Sequence, residues 1–546
     1  MRTFENSKEL PITDKVTNDP IIIFSQFYVD KNADRHKEIQ SALRHNCNNV
    51  YIDQIILLNE KEYTESELGI KSSKIKQVLN GPGKRLTFAD VFSYIAIHNV
   101  KAYNVFMNSD IFLDDSIHLL KLSTLHSTRS MMALLRFDFN SQKSNATLFG
   151  PRPDSQDTWI LHSNNNIAET ARKVFDFPFG ILGCDNKIVY LMSILGFTIY
   201  NDPLNIKTFH LHESNVRNYH INQQMKEPFG LIFPCTVESS LYDSIQQHLT
   251  NDKRYVIQEE NTKLRHYLAN KLSTNTPFVI PRIAGIENIY ALMGDHIRKS
   301  KKVTNEVQNY IKKTTYSMKN NAGIHITSIE SLLKYSDMYM SSFEHADLYA
   351  DWEPWGAVYN GGQDEIAHKF KKDTIWACVF DIFHFIYSCP WTTALQGKRI
   401  LLVSPFEESL RKQIAVRKHI FGIDLFPDCT FEFMKPPQTQ GTEISLEFDE
   451  ELGRFYKELE MKTELYDVAL VSAGGYGNLI CDFIFYKGKS AIYIGGVLQM
   501  YFGIYGERWV ESRKEIFTLY QNSYWRRPDE SERPKNHTEI EKSCYW

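Results

Sequence analysis

Short apolar runs of strand type alternate with helix-forming stretches in two separate blocks of the chain. The first block contains the runs 21–29, 51–58, 102–110 and 131–137, with helical stretches such as 31–44 and 88–98 between them. The second block contains the runs 278–283, 398–404, 467–473 and 490–496. Strands that alternate with helices are typical of a parallel or mixed sheet with helices on both faces. The pattern therefore predicts the α/β class, with two domains.

The two blocks also place the predicted domain boundaries. We assign residues 1–235 to a first domain and residues 276–525 to a second. Residues 236–275 are predicted to be a helical linker, because the stretch 239–271 is polar and helix-prone. Residues 526–546 are charged and contain proline, and they are predicted to form a C-terminal tail.

Composition and charge disfavour several classes of protein. Lys plus Arg number 62 and Asp plus Glu number 66, so a net charge of −4 gives no basic field for nucleic acid. The eight cysteines are scattered without a CxxC pair, which favours reduced thiols over a structural zinc site. The longest apolar-looking run, 374–391, contains Asp381 and His384, so no transmembrane segment is predicted. With no signal peptide apparent, we predict a cytoplasmic protein and leave its oligomeric state open.

The first chemical motif is Asn108-Ser109-Asp110, at the end of a predicted strand. Ligands of open α/β sheets bind outside the carboxyl ends of the strands. A carboxylate there can hold Mg²⁺ or Mn²⁺ against a diphosphate, since both ions prefer oxygen ligands. The alternative is that Asp110 only caps the turn after the strand.

Two further motifs lie in the same block. Gly183-Cys184-Asp185-Asn186 opens a predicted helix, and His210 and His212 lie two positions apart in HLHES. Residues two apart on an extended segment face the same side, so both imidazoles can face one cleft and bind a metal ion. Taken singly, each histidine is more simply a core or surface residue.

NSDIFLD, GCDN and HLHES together resemble segments of GT-A glycosyltransferases, over residues 20–225. NSDIFLD is similar to the metal-binding DxD segment of that family, with Asn108 in place of the first Asp. GCDN is similar to the acidic segment that faces the acceptor, and HLHES to the late histidine that completes the metal site.

The GT-A resemblance implies a Rossmann-like first domain with a defined set of site residues. Asn108 and Asp110 would bind the nucleotide sugar, and Asp110 would hold Mn²⁺ or Mg²⁺ with help from His210 or His212. Asp185 would be the catalytic base. On this interpretation, Asp110→Asn is predicted to abolish transfer with little change in melting temperature.

The second block contains a strand, a Gly-rich turn and a helix, in DVALVSAGGYGN. Gly474, Gly475, Gly477 and Asn478 would let backbone N–H groups approach a phosphate at the helix N-terminus. The motif is not GxGxxG, and no acidic residue ends the next strand, so NAD is disfavoured. Glycines that only make a tight turn are the alternative. On the phosphate interpretation, Gly477→Val is predicted to raise the KM for the donor more than it lowers stability.

Four segments of the second block resemble the GT-D class of glycosyltransferase domains, over residues 276–515. They begin at Arg282, Gly397, Phe431 and Ser472. The family places an Asp-x-Glu pair on the metal and the nucleotide sugar, and Gly285-Ile286-Glu287 matches it with the Asp position changed to Gly. The resemblance implies that Glu287 is catalytic and lies at the end of a strand, that Arg282 contacts a phosphate, and that the second half depends on a metal less than the first. A buried Arg282–Glu287 pair is the alternative.

The two resemblances together imply a bifunctional glycosyltransferase, GT-A-like and then GT-D-like. It would move hexosyl or deoxyhexosyl groups from nucleotide-sugar donors to hydroxyls of a glycan or glycoconjugate acceptor. One alternative is a glycan-binding or scaffold protein with one or both sites inactive, because Asn108 and Gly285 each replace a family carboxylate. The other is a sugar-phosphate nucleotidyltransferase, which is disfavoured because Ser25-Gln26-Phe27-Tyr28 occupies the place of its basic Gly-rich loop.

Overall fold

The structure, a computed structural model, describes residues 2–6, 8–165, 167–214, 224–226, 229–235, 257–353, 361–384, 386, 390–439, 445–512 and 514–533. The chain divides into two compact units, Met1–Tyr255 and Val256–Trp546. Both units mix helices with sheets rich in parallel strands, so the predicted α/β class is confirmed. In the ranges given above, no helix is long and apolar enough to cross a membrane.

The first unit alternates strands and helices in the order that its sequence pattern predicts. Its strands are β1 (Arg2–Asn6), β2 (Ile21–Ser25), β3 (Gln54–Asn59), β4 (Ile75–Leu79), β5 (Tyr103–Met107), β6 (Ile111–Leu113), β7 (Ser130–Leu134), β8 (Phe137–Asn140), β9 (Asn145–Leu148), β10 (Thr158–His162), β11 (Thr198–Tyr200), β12 (Thr208–His210) and β13 (Phe229–Phe233). Its helices are α1 (Ala33–Asn48), α2 (Glu65–Leu68), α3 (Phe88–Ile97), α4 (Glu169–Arg172) and α5 (Cys184–Ile194).

A seven-stranded sheet of order β11-β7-β10-β5-β2-β3-β4 forms the centre of the first unit. β2 pairs in parallel with β3 and β5, whereas β10 runs antiparallel to β5 and β7. β2, β5, β7 and β10 are buried along their whole length, as expected for strands with both faces covered. The carboxyl ends of β2 and β5 consequently lie side by side.

A smaller four-stranded sheet of order β6-β12-β8-β9 follows the end of β5. β12 pairs antiparallel with β6 and parallel with β8, and the rings of Phe112 and Phe209 stack at 5.1 Å across the first of these pairings. The register sets His210 opposite Ile111. A residue near position 210 is thereby held against the turn that follows β5.

The second unit also alternates strands and helices. Its strands are β14 (Val279–Ile280), β15 (Leu348–Asp351), β16 (Asp373–Trp376), β17 (Arg399–Val403), β18 (Thr430–Met434), β19 (Val468–Val471) and β20 (Ser490–Tyr493). Its helices are α6 (Ile257–Ser273), α7 (Gly285–Ser300), α8 (Asn305–Ala322), α9 (Ile329–His345), α10 (Gln363–Phe370), α11 (Glu407–Ile414), α12 (Arg417–Ile420), α13 (Phe448–Met461), α14 (Gly477–Tyr486), α15 (Glu507–Ser512) and α16 (Lys514–Tyr520). Five strands form an all-parallel sheet of order β14-β20-β19-β17-β18.

Helix α6 belongs to the second unit, although its sequence was assigned to the linker. Leu264 and Leu268, one turn apart, are fully buried, and the Asn261 side chain accepts a 2.7 Å hydrogen bond from the Trp391 backbone. The helix has an apolar stripe on a mostly polar sequence. A linker is predicted from the average polarity of the stretch, which does not reveal such a stripe. The rest of the predicted linker, and residues 534–546 of the predicted tail, lie outside the described residues.

Candidate functional site

A cleft of about 1200 Å³ opens at the carboxyl ends of β2 and β5 in the first unit. This is the edge at which ligands of open α/β sheets bind. The cleft is lined by strand ends and loops, and its polar lining includes Ser25, Gln26, Arg35, Glu60, Lys84, Arg85, Asn108, Asp110, Arg136, Asp138, Asp157, Asp185, His210 and His212. All of the site residues predicted for the first domain therefore line this one cavity.

Asp110 and the two predicted histidines form a compact cluster in the cleft. Asp110 Oδ2 lies 3.0 Å from His210 Nε2 and 3.7 Å from His212 Nδ1. The pairing of β6 with β12 produces this approach, and the Leu211 N–H donates a 2.9 Å hydrogen bond to the Asp110 carbonyl. The two imidazole rings stack at 5.1 Å, so the two-residue spacing of the histidines does place them on one face.

The cluster has the donor set and the open positions of a metal site. One ligand atom from each of the three residues lies within 4.8 Å of the others. Asp110 Oδ1 and His212 Nδ1 are buried and have no hydrogen-bond partner among the described residues. Because a buried polar atom without a partner is costly, these two atoms are suited to bind a ligand. The residues present therefore fit a divalent cation.

Arg35, in the first turn of α1, is a site residue that sequence reasoning missed. Its guanidinium donates to Asp110 Oδ2, to Glu38 Oε2 at 2.9 Å and to the Leu211 carbonyl at 3.2 Å. Asn32 caps the helix, accepting from the N–H groups of Asp34 and Arg35. No local pattern marks Arg35, because its partner Asp110 lies 75 positions away.

These charges shift the acidities in the cluster. Burial disfavours ionised Asp110, but the attraction and the hydrogen bond of His210, together with the charge of Arg35, outweigh it, so the pKa of Asp110 is well below its usual value. For His210, burial lowers the pKa, and the Asp110 carboxylate overcomes that effect and raises it to about 9. Without a metal, the ionised Asp110 carboxylate is thus paired with two cations, the protonated His210 and Arg35.

Asn108, expected to bind the nucleotide sugar, faces the cleft but already holds a neighbouring acid. Its Nδ2 donates a 2.9 Å hydrogen bond to Asp157 Oδ1. The other Asp157 oxygen pairs with Arg136, which also contacts Asp138 at 3.0 Å. Asn108 therefore anchors a chain of alternating charges, and the Asp157 carboxylate is a second acid that no motif predicted.

Asp185 occupies the first turn of α5, after the left-handed Gly183. Its Oδ2 accepts from the Gln156 N–H at 3.2 Å, and its Oδ1 accepts from the Asn186 N–H at 3.0 Å. Burial, followed by repulsion from the Asp157 carboxylate, raises the pKa of Asp185 to about 7. An acid with a pKa near neutrality suits proton transfer at neutral pH.

Arg85 brings a positive charge into the cleft. It lies in the loop between β4 and α3 and forms no ion pair or hydrogen bond with any residue that the structure describes. A Cβ on Gly180 would lie 3.1 Å from Arg85 Nη2 and 3.4 Å from Asn108 Oδ1, so the guanidinium lies beside Asn108 on the cleft floor. Partial burial lowers the pKa of Arg85, yet an arginine stays charged.

In the second unit, the predicted site residues Arg282 and Asn478 form hydrogen bonds within the protein. Asn478 exchanges hydrogen bonds with the backbone of Arg282, at 3.0 and 2.9 Å, and the Arg282 guanidinium donates to the Ile494 carbonyl at 2.8 Å. Arg282 also lies over the Trp352 ring at 4.6 Å. These contacts tie β14 to the start of α14.

The Gly-rich turn is closely packed. A Cβ on Gly474 would lie 2.8 Å from the Ala322 carbonyl oxygen, and a Cβ on Gly477 would overlap the Tyr493 ring. The Tyr493 hydroxyl donates to the Gly474 carbonyl at 2.9 Å. Close packing therefore accounts for these glycines without a phosphate, which agrees with the alternative that they only make a tight turn.

Glu287 lies in the first turn of α7, whereas a position at the end of a strand was expected. It is 8% exposed, and its charge adds to burial in raising the pKa values of Tyr335 and Tyr339 well above their usual value. The Tyr335 hydroxyl donates to the Gly475 carbonyl at 3.1 Å. Glu287 and the Gly-rich turn are thus linked through buried tyrosines.

No family model and no curated protein matches the chain. Among solved structures, it is similar to the mannosyltransferase PcManGT from Pyrobaculum calidifontis in complex with GDP-Man and Mn²⁺, with 10% identity and a TM-score of 0.27. That match covers 38% of this chain and 62% of the other, which is less than two thirds of its length. The chain is also similar to 4-diphosphocytidyl-2C-methyl-D-erythritol synthase from Anaerococcus prevotii, with 10% identity and a TM-score of 0.23 over 38% of this chain and 94% of that one. A third match, to residues 1–349 of TarS from S. aureus in complex with UDP-GlcNAc, has 11% identity and a TM-score of 0.20 over 38% of this chain and 59% of the other. Scores this low carry no argument about function.

Proposed function

We propose that the first unit is a glycosyltransferase that moves a sugar from a nucleotide-sugar donor to a hydroxyl of a glycan acceptor. One observation carries the proposal. A single cleft at the carboxyl edge of the sheet holds both a carboxylate–dihistidine cluster and an acid, Asp185, with a pKa of about 7. The cluster is suited to hold a cation that binds a diphosphate. Asp185 is suited to act as the base that takes a proton from a hydroxyl.

Asp110, His210 and His212 would hold the divalent ion. A bound divalent ion supplies positive charge against the negative charge that develops on the leaving diphosphate. Two imidazoles and one carboxylate form a nitrogen-rich set, which favours Mn²⁺ over the strictly oxygen-seeking Mg²⁺.

Arg85 would bind the diphosphate directly. A guanidinium presents a planar fork that matches two phosphate oxygens, and each such hydrogen bond is charge-assisted. Arg85 needs no rearrangement to do this, because no carboxylate of the described residues holds it.

Asp185 would take the proton of the acceptor hydroxyl. The hydroxyl oxygen forms the new bond to the anomeric carbon, the bond from that carbon to the phosphate oxygen breaks, and the proton moves to the Asp185 carboxylate. A base placed in this way is worth roughly 10²–10⁴-fold in rate.

Release of nucleoside diphosphate from a panel of nucleotide sugars tests the proposal on the full chain, with and without Mn²⁺. We expect Mn²⁺-dependent release from at least one donor. Asp185→Asn should remove that release and leave donor binding, measured calorimetrically, unchanged. Binding of no donor, with or without Mn²⁺, would contradict the proposal.

A sugar-phosphate nucleotidyltransferase is a second candidate, favoured by one observation. Gly83, Lys84 and Arg85 line the cleft, so a basic Gly-containing loop is present after β4 although none follows the first strand of the block. The products separate the two functions, because this enzyme would release pyrophosphate from a nucleoside triphosphate and a sugar phosphate.

For the second unit, a GT-D-like transferase site remains our proposal, and its support is the parallel sheet with Arg282 and Asn478 at its carboxyl edge. The test uses the full chain carrying Asp185→Asn, in which the first site is disabled. Remaining turnover of a donor that Glu287→Gln then removes would support bifunctionality. No remaining turnover would favour an inactive or glycan-binding second unit.

A further inference from the structure

The carboxylate of the candidate metal site is already bound by a fixed cation. Arg35 and Asp110 are 5% and 6% exposed, and the Arg35 guanidinium contacts the same oxygen, Oδ2, that faces both histidines. Arginine cannot lose its charge in a protein. Any cation that binds Asp110 is therefore repelled by a permanent positive charge on the other side of the same carboxylate.

The other acids nearby are also committed to partners. Glu38 binds Arg35 at 2.9 Å and accepts from the N–H and the hydroxyl of Ser214, at 2.7 and 2.9 Å. Asp138, which lies 3.5 Å from His210 Nδ1, is paired with Arg136 at 3.0 Å. Position 108, where a second carboxylate could have stood, is an asparagine bonded to Asp157. Asp110 Oδ1, by contrast, is a buried acid oxygen of the cluster without a hydrogen-bond partner among the residues that the structure describes.

We propose that Arg35 keeps the affinity of the nucleotide-free site for a cation low, so that the cation and the diphosphate bind together. This inference rests on the proposed function. A diphosphate adds negative charge to a site where Arg35 offsets the charge of the only carboxylate in the cluster. Its oxygen atoms can also fill the coordination positions of the ion that one carboxylate and two imidazoles leave open. Arg35 acts through Asp110 and is a positioning residue that sets the order of binding.

The usual role of a group behind a metal ligand is the opposite. Such partners orient the ligand and raise its basicity, and their loss lowers metal affinity by roughly 10–100-fold. Arg35 withdraws charge from Asp110 and repels the ion. The direction in which its removal changes the affinity therefore separates the two roles, and a merely structural role would not raise the affinity.

The experiment is a Mn²⁺ titration of the full chain followed by electron paramagnetic resonance. It is run alone and with UDP, GDP, CDP, ADP or dTDP, corrected for the complex that Mn²⁺ forms with each nucleotide in solution. For the wild type we expect weak binding alone and at least about 30-fold tighter binding with the preferred nucleotide, within the usual range of coupling between two ligands. By the same linkage, Mn²⁺ tightens the nucleotide equally.

Arg35 variants test the cause of that coupling. Arg35→Met should bind Mn²⁺ alone about 10-fold tighter or more, and its coupling to the nucleotide should shrink by the same factor. Arg35→Lys, which keeps the charge, should behave as the wild type. Lys37→Met is the matched control, because Lys37 lies on the same helix in an exposed pair with Asp34 and should change neither value.

Weaker or unchanged Mn²⁺ binding by Arg35→Met would overturn the inference. So would a wild type that binds Mn²⁺ equally well without a nucleotide, a measurement that stands even if Arg35→Met does not fold. Failure of the proposed function gives a different result, in which no nucleotide diphosphate binds with or without Mn²⁺.

Discussion

Replacing Asp185 by asparagine is expected to stabilise the first unit above pH 7 and to abolish transfer. Asparagine keeps an oxygen that can accept one of the two backbone hydrogen bonds now made to Gln156 and Asn186, but it cannot ionise or take a proton. If Asp185 serves only the helix start, the same change should be neutral or slightly destabilising, because an acid in the first turn is worth about 0.3–1 kcal/mol.

The structure gives the size and the sign of the effect. The pKa of Asp185 is raised from 3.8 to about 7, so the folded protein holds this proton more tightly than the unfolded chain. Stability from this group is full below about pH 4 and falls as the pH rises to about 7, by at most about 4 kcal/mol. After the lost dipole interaction and hydrogen bond are subtracted, Asp185→Asn should gain about 1–3 kcal/mol at pH 8. The gain should shrink at pH 5.

Urea unfolding of the full chain at pH 5 and pH 8 measures the stability, and nucleotide release from the preferred donor measures the activity. Asp34→Asn is the matched control, because Asp34 is also an acid in the first turn of a helix, α1, but is exposed. In the wild type, kcat/KM should rise with pH and level off near pH 7. Equal or lower stability of Asp185→Asn at pH 8, together with unchanged turnover, would refute the reasoning.

Three further outcomes follow from the contacts. Asp110→Asn should remove Mn²⁺ binding and also cost about 1–3 kcal/mol in urea unfolding, since it removes one of the two carboxylates that pair with the buried Arg35 and leaves only Glu38; an unchanged melting temperature, as the sequence alone predicts, would contradict this. Arg85→Gln should raise the donor KM about 10-fold with kcat and stability unchanged, and an unaltered KM would exclude a phosphate contact. Gly477→Val should destabilise the second unit by about 1–3 kcal/mol through overlap with Tyr493, so a selective rise in donor KM without a loss of stability would restore the phosphate interpretation.

The sequence predicts much of the first site because its signals are local. Strand-type runs ending in polar residues place Asp110 at the carboxyl edge of the sheet, and the spacing of His210 and His212 places both rings on one side. These inferences need only the period of a strand and the place where parallel sheets bind ligands.

The rest of the site depends on contacts between distant positions. Arg35 meets Asp110 across 75 residues, and Asp157 meets Asn108 across 49, so neither pair has a pattern in the sequence. The raised pKa of Asp185 is also a tertiary effect, since it needs burial and the charge of Asp157. In the second unit, the glycines match a phosphate-binding turn in spacing, but the ring that fills the space comes from β20.

The carboxylate–dihistidine cluster of the first unit and the Gly-rich turn of the second differ in how their polar atoms are satisfied, and this difference indicates which of the two can accept a ligand. In the first-unit cleft, Asp110 Oδ1 and His212 Nδ1 have no hydrogen-bond partner among the described residues. At the Gly-rich turn of the second unit, by contrast, the protein itself supplies partners for the carbonyls of Gly474 and Gly475. A buried polar atom without a partner costs about 1–3 kcal/mol, and a ligand that supplies the partner recovers that cost on binding. We therefore expect the first cleft to gain stability from a bound cation and diphosphate, and substitutions at the second turn to act on folding.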